Sequence, residues 1–403
     1  MLQATPPAAT PSAEPSTSEP QSDGAETANS SIRLWWPSPL YPSTNTRAET
    51  LLTQRLARYA GGIVSVRVRR SEGLGGIFET LDSAAKVAPS ALPDAVLMRA
   101  ADLPRAYASK IIFPLPNDQM IAWSEYFPSG VALGKFEDVP FGLPYMLNVL
   151  HVVYRGEGEP PRQLSTLAAR GIGYGFPAKA SRGVNLSILH TYISAGGTLT
   201  DANGKPHLDR AILESVLTAY QDLYAGGLLG KDAVANTDPN SYWAAVASGD
   251  VPLAQVESTY FVAQWSKIAA EDRREWQMAA LPNLSSEPSP MSVVDGYFWV
   301  LTTPDPVRQA RAMSAILWLM ETDGLGAFSE AMGMLPGRRS ALNAWQDSDY
   351  IPFARSLLER PALPLPETLD PRLAAALQSA FEAVLSGTDA EAAAAAAVAQ
   401  LGN

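Results

Sequence analysis

The chain has 403 residues, a formal net charge of −11 and no cysteine. The absence of cysteine excludes disulfides, thiolate metal sites and a cysteine nucleophile, and the acidic balance without an obvious basic face argues against a nucleic-acid partner. Hydrophobic residues make up 46% and charged residues 18%, which is typical of a globular protein long enough to form two lobes.

The N-terminal segment, residues 1–31, is rich in Pro, Ser, Thr, Ala and Glu. It carries too little apolar surface to offset the entropy of ordering, so we predict a disordered tether. It contains no Lys or Arg and no apolar core segment, and therefore is not an intact export signal. Such a tether suits a protein that is lipid-anchored through a cysteine preceding Leu2. An untethered flexible terminus is the alternative.

Strand and helix patterns alternate through the first hundred residues. Apolar residues recur at every second position over 32–36 and 61–70, and a short apolar run covers 93–98, so these segments are predicted strands. The alternation predicts a parallel sheet covered on both faces, in which ligands bind beyond the carboxyl ends of the strands. The turns after Trp36 and Met98 are therefore the first places to expect a site.

The alternation resumes after Pro144. Strands are predicted over 148–155, in a segment that ends at Glu257, and over 292–302, and a long amphipathic helix is predicted over 209–227. The sequence shows no internal repeat.

Two capping boxes predict helix starts. Thr46 is followed three residues later by Glu49, and Thr388 by Glu391. In this motif the hydroxyl and the carboxyl each satisfy a backbone N–H group of the first helical turn.

Catalytic and metal signatures are missing from the sequence. There is no GxSxG elbow and no phosphate-binding P-loop. His151, His190 and His207 lie in different predicted elements and lack metal-ligand spacing. Glu257 is the acid that stands out, because it ends a strand. We predict no catalytic residue, no metal and no cofactor.

Several phrases, in order, resemble the extracellular solute-binding proteins of ATP-driven importers, in the branch that includes maltose- and other sugar-binding proteins. They are IRLWWPSP, APSALPDAVLMRAADLPRAYASKIIFPLP, FGLPYMLNVLHVVYRGEGEPPRQLSTL, ISAGGTLTDANGKPHLD with AYQDLYAGGLL, SYWAAVASGDVPLAQVES, MAALPN, DGYFWVLTTPDPVRQARAMSAILWLM and GMLPGRRSAL. The resemblance covers residues 31–345. Each segment alone is weak evidence for the family, but the order and spacing of all the segments together are specific to it.

The resemblance implies an α/β fold of the two-lobed periplasmic-binding-protein type (type II, Venus flytrap) with three interlobe crossovers. We expect the crossings near Tyr145, Pro282 and Asp323. The implied N-terminal lobe comprises 31–145 and 283–323, and the C-terminal lobe comprises 146–282 and 324–403.

A ligand in the cleft would contact side chains at strand ends and turns. The predicted ligand-binding residues are Trp36, Tyr41, Arg99, Tyr145, Glu257, Tyr260, Asp295, Tyr297 and Arg338. Aromatic faces cover apolar sugar faces, and polar side chains bind hydroxyl groups. Trp299 and Trp318, inside a strand and a helix, are assigned to the core.

Three departures from the family pattern concern the ligand. Asp295 and Gly296 stand where a Gly-Gly pair is usual, and Arg99 stands where an acidic or polar residue is common. Glu257 is followed by Ser-Thr-Tyr in place of a glycine and an aromatic residue. If Arg99 faces the cleft, an anionic group on the solute becomes credible.

The implied function is capture of a small solute, of carbohydrate type, and its delivery to the transmembrane subunits of an ABC-type permease. The protein would act as a monomer outside the cytoplasm, lipid-anchored at the outer face of the membrane or periplasmic. The alternatives are an anionic or cationic solute such as a sugar phosphate or polyamine, a secreted carbohydrate-active enzyme, and a sensor or adhesin module that binds a protein.

Overall fold

The computed structural model describes residues 31–116, 120–180, 183–230, 233, 239–346 and 349–402. The predicted tether, apart from Ser31, lies outside the described residues. The described part of the chain contains no helix that is both long and apolar enough to cross a membrane.

The strands form where the sequence alternates or is continuously apolar. They are β1 Ile32–Pro37, β2 Val64–Arg69, β3 Ala95–Arg99, β4 Lys135–Phe136, β5 Val139–Pro140, β6 Leu143–Tyr154, β7 Tyr174–Gly175, β8 Leu253–Glu257, β9 Gln277–Ala279, β10 Val294–Leu301 and β11 Leu335–Pro336.

The helices lie between the strands and at the C-terminal end. They are α1 Thr46–Arg58, α2 Ile77–Val87, α3 Leu103–Ala108, α4 Pro128–Leu133, α5 Leu164–Arg170, α6 Leu186–Ser194, α7 Arg210–Ala225, α8 Trp243–Ser248, α9 Ser258–Trp265, α10 Pro306–Leu319, α11 Thr322–Met332, α12 Arg339–Leu342, α13 Tyr350–Leu358, α14 Pro371–Val384 and α15 Ala390–Gln400.

The main sheet runs in the order β2-β1-β3-β10-β6-β8-β7, with β9 and β11 also pairing with β6. β1 is parallel to β2 and β3, as the alternating pattern predicts, and β7 is parallel to β8. β10 is antiparallel to both β3 and β6. The sheet is therefore mixed, with parallel sets at its two ends joined through β10 and β6.

β6 is a single strand shared by the two halves of the molecule. Its residues up to Val149 pair with β10, and from Leu150 onward it pairs with β8 and β9. The change of partner marks where the chain passes from one half to the other. The crossing near Tyr145 stays a prediction; the change of partner occurs between Val149 and Leu150.

Two hydrophobic clusters fill the two halves. The first gathers around Trp36 and Trp299 and includes residues of α1, α10 and α11. The second lies between α6, α7, α14 and α15, around Tyr220 and Phe381. A further cluster, which includes Val149, packs elements of both halves together.

α11 packs with elements from the start of the chain. It packs against α1, and its Phe328 lies in the same cluster as Trp36. The segment after Asp323, predicted to belong to the C-terminal lobe, therefore packs at first with the N-terminal half. α14 and α15, further along, pack on α7 of the other half.

Both predicted capping boxes are displaced by one residue. Asn45, rather than Thr46, caps α1 by accepting the N–H of Ala48 at 3.0 Å. Asp389, rather than Thr388, caps α15. Asn and Asp are among the strongest N-cap residues, and their side chains reach these donors in the extended conformation that precedes the helix.

Candidate functional site

A cavity of about 330 Å³ lies where the two halves meet. It is bounded by residues that follow β2 and end β3, by the middle of β6, by the end of β8 and the start of β10, and by the connections before α6 and α14. The lining residues are Glu72, Arg99, Ala101, Asn148, Leu150, Pro177, Lys179, Ala180, Val184, Asn185, Leu186, Gln255, Glu257, Val293, Val294, Asp295, Leu363, Pro364, Leu365, Pro366 and Glu367. β2, β3 and β8 contribute through their carboxyl ends, as α/β sheets do.

A row of three polar side chains crosses neighbouring strands of the cavity wall. Asn148 on β6 lies directly opposite Asp295 on β10. Its Nδ2 donates a hydrogen bond of 2.6 Å to Oε2 of Glu257 at the end of β8. Two carboxylates thus flank one amide at the point where β6 changes partners.

Asn148 also holds the start of α9. Its Oδ1 accepts hydrogen bonds from Ser258 Oγ at 2.7 Å and from the backbone N–H of Thr259 at 3.0 Å. The Ser258 hydroxyl in turn accepts the N–H of Val149. The amide therefore has a fixed orientation, and with it the direction in which its Nδ2 meets Glu257.

Arg99 lies in an ion-pair cluster. Its Nη1 donates to Glu72 Oε2 at 2.5 Å, and its Nη2 and Nε donate to Asp102 Oδ2 at 2.8 and 3.0 Å. Arg105 donates to the other oxygen of Asp102 at 2.6 Å. Burial lowers the pKa of the Arg99 guanidinium. The carboxylates of Asp102 and Glu72 raise it by a larger amount, so the pKa lies above its ordinary value. The guanidinium stays charged, and two carboxylates balance that charge.

The opposite wall is built at the start of α6. Asn185 caps this helix by accepting the N–H of Ser187 at 2.8 Å, and its Nδ2 donates to the carbonyl of Pro177 at 2.5 Å. Gln255, which is 2% exposed, accepts from the Ser187 hydroxyl at 2.8 Å. These contacts fix the loop before α6 against β8.

Three of the nine predicted ligand-binding residues line this cavity: Arg99, Glu257 and Asp295. All three are charged and stand at or beside strand ends. The Asp295 carboxylate accepts the N–H of Gly296 at 2.7 Å.

Trp36 and Tyr145 lie in the core, which corrects the expectation that they face the cleft. They are 0% and 2% exposed. Their rings meet edge to face at 5.7 Å, and both contact Trp299 and Phe328. Burial raises the pKa of Tyr145 well above its ordinary value. Trp299 lies in the core as expected.

Tyr41, Tyr260, Tyr297 and Arg338 are partly buried but are not among the cavity-lining residues. Tyr260 packs edge to face on Trp243 at 5.5 Å. Burial, and then the nearby Asp295, raise the pKa of Tyr297 to about 12, and this residue pairs with Arg99 across β10 and β3. Arg338 donates to the carbonyl of Met320 at 3.0 Å.

Several lining residues were not identified in the sequence. Asn148 could most readily have been identified, because it is a polar residue inside the apolar run MLNVLHVV, and such an interruption is visible in the sequence alone. Glu72 follows the end of a predicted strand, where ligands of such sheets bind. Lys179, Asn185 and Glu367 lie in loops whose position depends on tertiary packing, and nothing in their local sequence marks them.

Within the described residues, no group of three or more His, Asp or Glu side chains is arranged to hold a metal ion. His151 and His190 are fully buried, and burial lowers the pKa of each to about 4. Both rings are packed side chains of the core.

Comparison with known families assigns the chain. The family described as bacterial extracellular solute-binding protein matches residues 56–352, well over half of the sequence. The chain belongs to this family. No curated protein matches it in sequence.

Solved structures share the fold of this extracellular solute-binding protein. The sugar-binding protein MalE of Xanthomonas citri superposes with a TM-score of 0.73 at 16% identity, over 92% of this chain and 96% of that one. The cyclic alpha-maltosyl-1,6-maltose binding protein of Arthrobacter globiformis gives 0.72 at 17% identity, over 93% and 98%. The GacH receptor of Streptomyces glaucescens gives 0.68 at 17% identity, over 92% and 97%.

Proposed function

We propose that this solute-binding protein captures a small carbohydrate in the cavity between its halves and delivers it to an ABC-type permease. The observation that carries the proposal is the cavity itself, where Arg99, Glu257 and Asp295 meet from separate strands. Polar side chains that converge in a cavity of a few hundred Å³ are typical of a small-molecule site.

The similar structures support the carbohydrate class. One is described as a sugar-binding protein, one as binding cyclic alpha-maltosyl-1,6-maltose, and the GacH receptor was determined in complex with acarbose. Because their identities to this chain are 16–17%, they indicate a class of solute and no single member of it.

The proposed mechanism is closure around the solute. β6 joins the halves and changes partners at Val149 and Leu150, so small backbone changes there would open or close the cavity. A solute drives closure only by binding the closed state more tightly than the open one. Net hydrogen bonds of about 0.5–1.5 kcal/mol each make micromolar binding, about −8 kcal/mol, reachable with a handful of contacts after ordering costs.

We further propose that the protein binds its solute without turnover and acts as a monomer. The extracellular family places the protein outside the cytoplasm. Lipid attachment ahead of the predicted tether would keep it at the membrane, near the permease. Glu72 and Asp102 pair with Arg99, so this guanidinium adds no excess positive charge that would favour an anionic solute.

Thermal unfolding against a panel of monosaccharides and disaccharides tests the proposal. A solute at about 100 times its dissociation constant stabilises the native state by about 2.7 kcal/mol. We expect a shift with at least one sugar, recovery of that sugar unchanged, and loss of the shift in Glu257→Gln. Glu391→Gln is the control, because that carboxylate lies outside the cavity and 69% of its side chain is exposed. Hydrolysis of the sugar, or no shift with any sugar, would contradict the proposal.

A further inference from the structure

A second cavity, of about 340 Å³, lies apart from the proposed solute site. Its wall comes from the connection that follows β6, from β9 and the segment after it, and from α13 and its C-terminal end. The two cavities share no described lining residue. A ligand in the second cavity would therefore be distinct from the proposed solute.

Two arginines line this cavity without a carboxylate partner among the described residues. Arg162 lies in the connection after β6, and Arg360 follows α13. Neither guanidinium forms an ion pair in the described part of the chain, whereas nearby Arg155 pairs with Glu275. The described lining includes one carboxylate residue, Glu159, which is exposed. The positive charge of both arginines is therefore available to a ligand.

The Arg360 guanidinium is held in place but only partly used. Its Nη1 donates to the carbonyl of Ser289 at 3.1 Å, in the connection between β9 and β10. The N–H of Ser292 donates to the carbonyl of Pro361 at 2.9 Å, so the two connections lie side by side. A guanidinium has several further N–H donors, and the unpaired nitrogens of Arg360 reach solvent.

The electrostatic surroundings of Arg360 agree with this geometry. Burial lowers the pKa of Arg360. Burial, and then the charge of Arg360, lower the pKa of the neighbouring His190, and Nδ1 of that buried ring has no hydrogen-bond partner among the described residues. Partial burial of a cation without a counter-charge is unfavourable, and an anion bound beside it would offset that cost.

We propose that this cavity binds a small oxyanion of the phosphate or sulfate type, with Arg162 and Arg360 as its donors. The planar fork of an arginine donates two parallel hydrogen bonds to such an ion. A bound ion would connect the segment after β6 with the segment after α13. The inference is independent of the proposed function, because it assigns a second ligand to a different cavity.

Isothermal titration calorimetry with inorganic phosphate, and separately with sulfate, tests the inference at an ionic strength held constant with chloride. We expect both ions to bind. Arg162→Gln should weaken the phosphate affinity at least about tenfold, as the loss of a charge-assisted hydrogen bond predicts. Arg162 is exposed and makes no side-chain hydrogen bond to a described residue, so its replacement should leave the fold intact.

Three more variants locate the effect. Arg360→Gln should weaken phosphate binding as Arg162→Gln does. Glu159→Gln should strengthen it, because the change removes a negative charge from the lining. Arg58→Gln is the matched control, since Arg58 is an exposed arginine outside the cavity, and the phosphate affinity should not change.

The same chemistry would suit the headgroup phosphate of a lipid, so cosedimentation with phosphatidylglycerol vesicles completes the test. Binding to vesicles without binding of inorganic phosphate would overturn the assignment to a free ion. Equal phosphate affinity in Arg162→Gln and the parent would overturn it too. So would an absence of binding up to about 10 mM phosphate, where a millimolar site is nearly filled. Each of these failures would leave the sugar-binding proposal standing.

Discussion

The aromatic cluster of the N-terminal half and the cavity wall differ sharply in composition, although β6 and β10 contribute residues to both. Trp36, Tyr145, Trp299 and Phe328 pack edge to face and exclude water. The cavity wall, which includes other residues of the same strands, combines carboxylates, amides and aliphatic side chains. The large rings of this cluster belong to the core, whereas charged side chains at or beside strand ends line the cavity.

The difference follows from the cost of exposure. Burying a tryptophan removes a large apolar area from water. A tryptophan side chain that can reach the core therefore stabilises the folded protein by packing there. Burying the Glu257 or Asp295 carboxylate would instead cost free energy, because a carboxylate must be paired or solvated. Each remains at the surface that the two halves enclose.

Replacement of Trp36 by alanine should give the largest difference between the two regions, because it should reduce stability without reducing solute affinity. The ring is fully buried, and Nε1 donates to the carbonyl of Leu40 at 2.9 Å. We expect the free energy of unfolding to fall by about 3–5 kcal/mol, measured by urea titration, with solute affinity of the folded fraction unchanged. Trp123→Ala, at a half-buried ring, is the control and should cost less. A Trp36→Ala protein that is stable but unable to bind would show that the ring belongs to the site.

Asp94 and Asp295 allow a structural carboxylate to be compared with a ligand-binding one. Asp94 is 4% exposed and accepts hydrogen bonds from Arg308 Nε at 2.6 Å and from the N–H of Arg33 at 2.7 Å. Its replacement by alanine leaves two donors without a partner and should cost about 3 kcal/mol of stability in urea unfolding. Asp295→Ala should cost less than about 0.5 kcal/mol and reduce binding instead. The reverse pattern would break the distinction between structural and ligand-binding carboxylates.

The buried histidines extend the comparison to pH. Burial lowers the pKa of His151 to about 4, so the native ring stays neutral while the unfolded chain, with a pKa near 6.5, takes up a proton. Stability is therefore complete above pH 6.5 and falls between pH 6.5 and 4, by about 2 kcal/mol at pH 5 for this residue.

Urea unfolding of His151→Gln between pH 7 and 4 measures this contribution. The variant should lose less stability over that range than the parent does. His207→Gln, in which the replaced ring is only partly buried, is the matched control. An unchanged slope in His151→Gln would contradict the assignment of that ring to the core.

Gly296 lies between the two regions, with Asp295 on one side and Tyr297 on the other. A Cβ there would clash with the carbonyl oxygen of Met146 and lie 3.1 Å from Cα of Leu147. Gly296→Ala should therefore push β10 from β6 and cost about 1–2 kcal/mol in thermal unfolding. In the control Gly230→Ala, the added Cβ meets no described atom within 4 Å, and stability should hardly change.

Much of the fold could be predicted from the sequence because its signals are periodic. Alternation identified β1 and β2, and the amphipathic pattern identified α7. The helix caps were displaced by one residue, since Asn45 and Thr46 are both cap formers and only the backbone conformation decides between them. The packing of α11 on α1 could not be predicted, because it brings together residues 322–332 and 46–58, which are far apart in the sequence.

The site was less accessible from sequence. Arg99, Glu257 and Asp295 could be identified because charged residues at strand ends have few structural uses. Trp36 and Tyr145 could not be distinguished from cleft residues, because aromatic side chains at strand ends pack inward or outward with no local signal. Loop residues such as Lys179 reach the wall only through the arrangement of both halves.

A structure of the protein with its best-binding sugar from the thermal panel tests the central claim most directly. The account predicts that the solute lies between the two halves, with its polar atoms within hydrogen-bond distance of Glu257 and Asp295. A solute stacked on Trp123 and Tyr126 beside Arg338, with the cavity at the Glu257–Asn148–Asp295 row unoccupied, would contradict it.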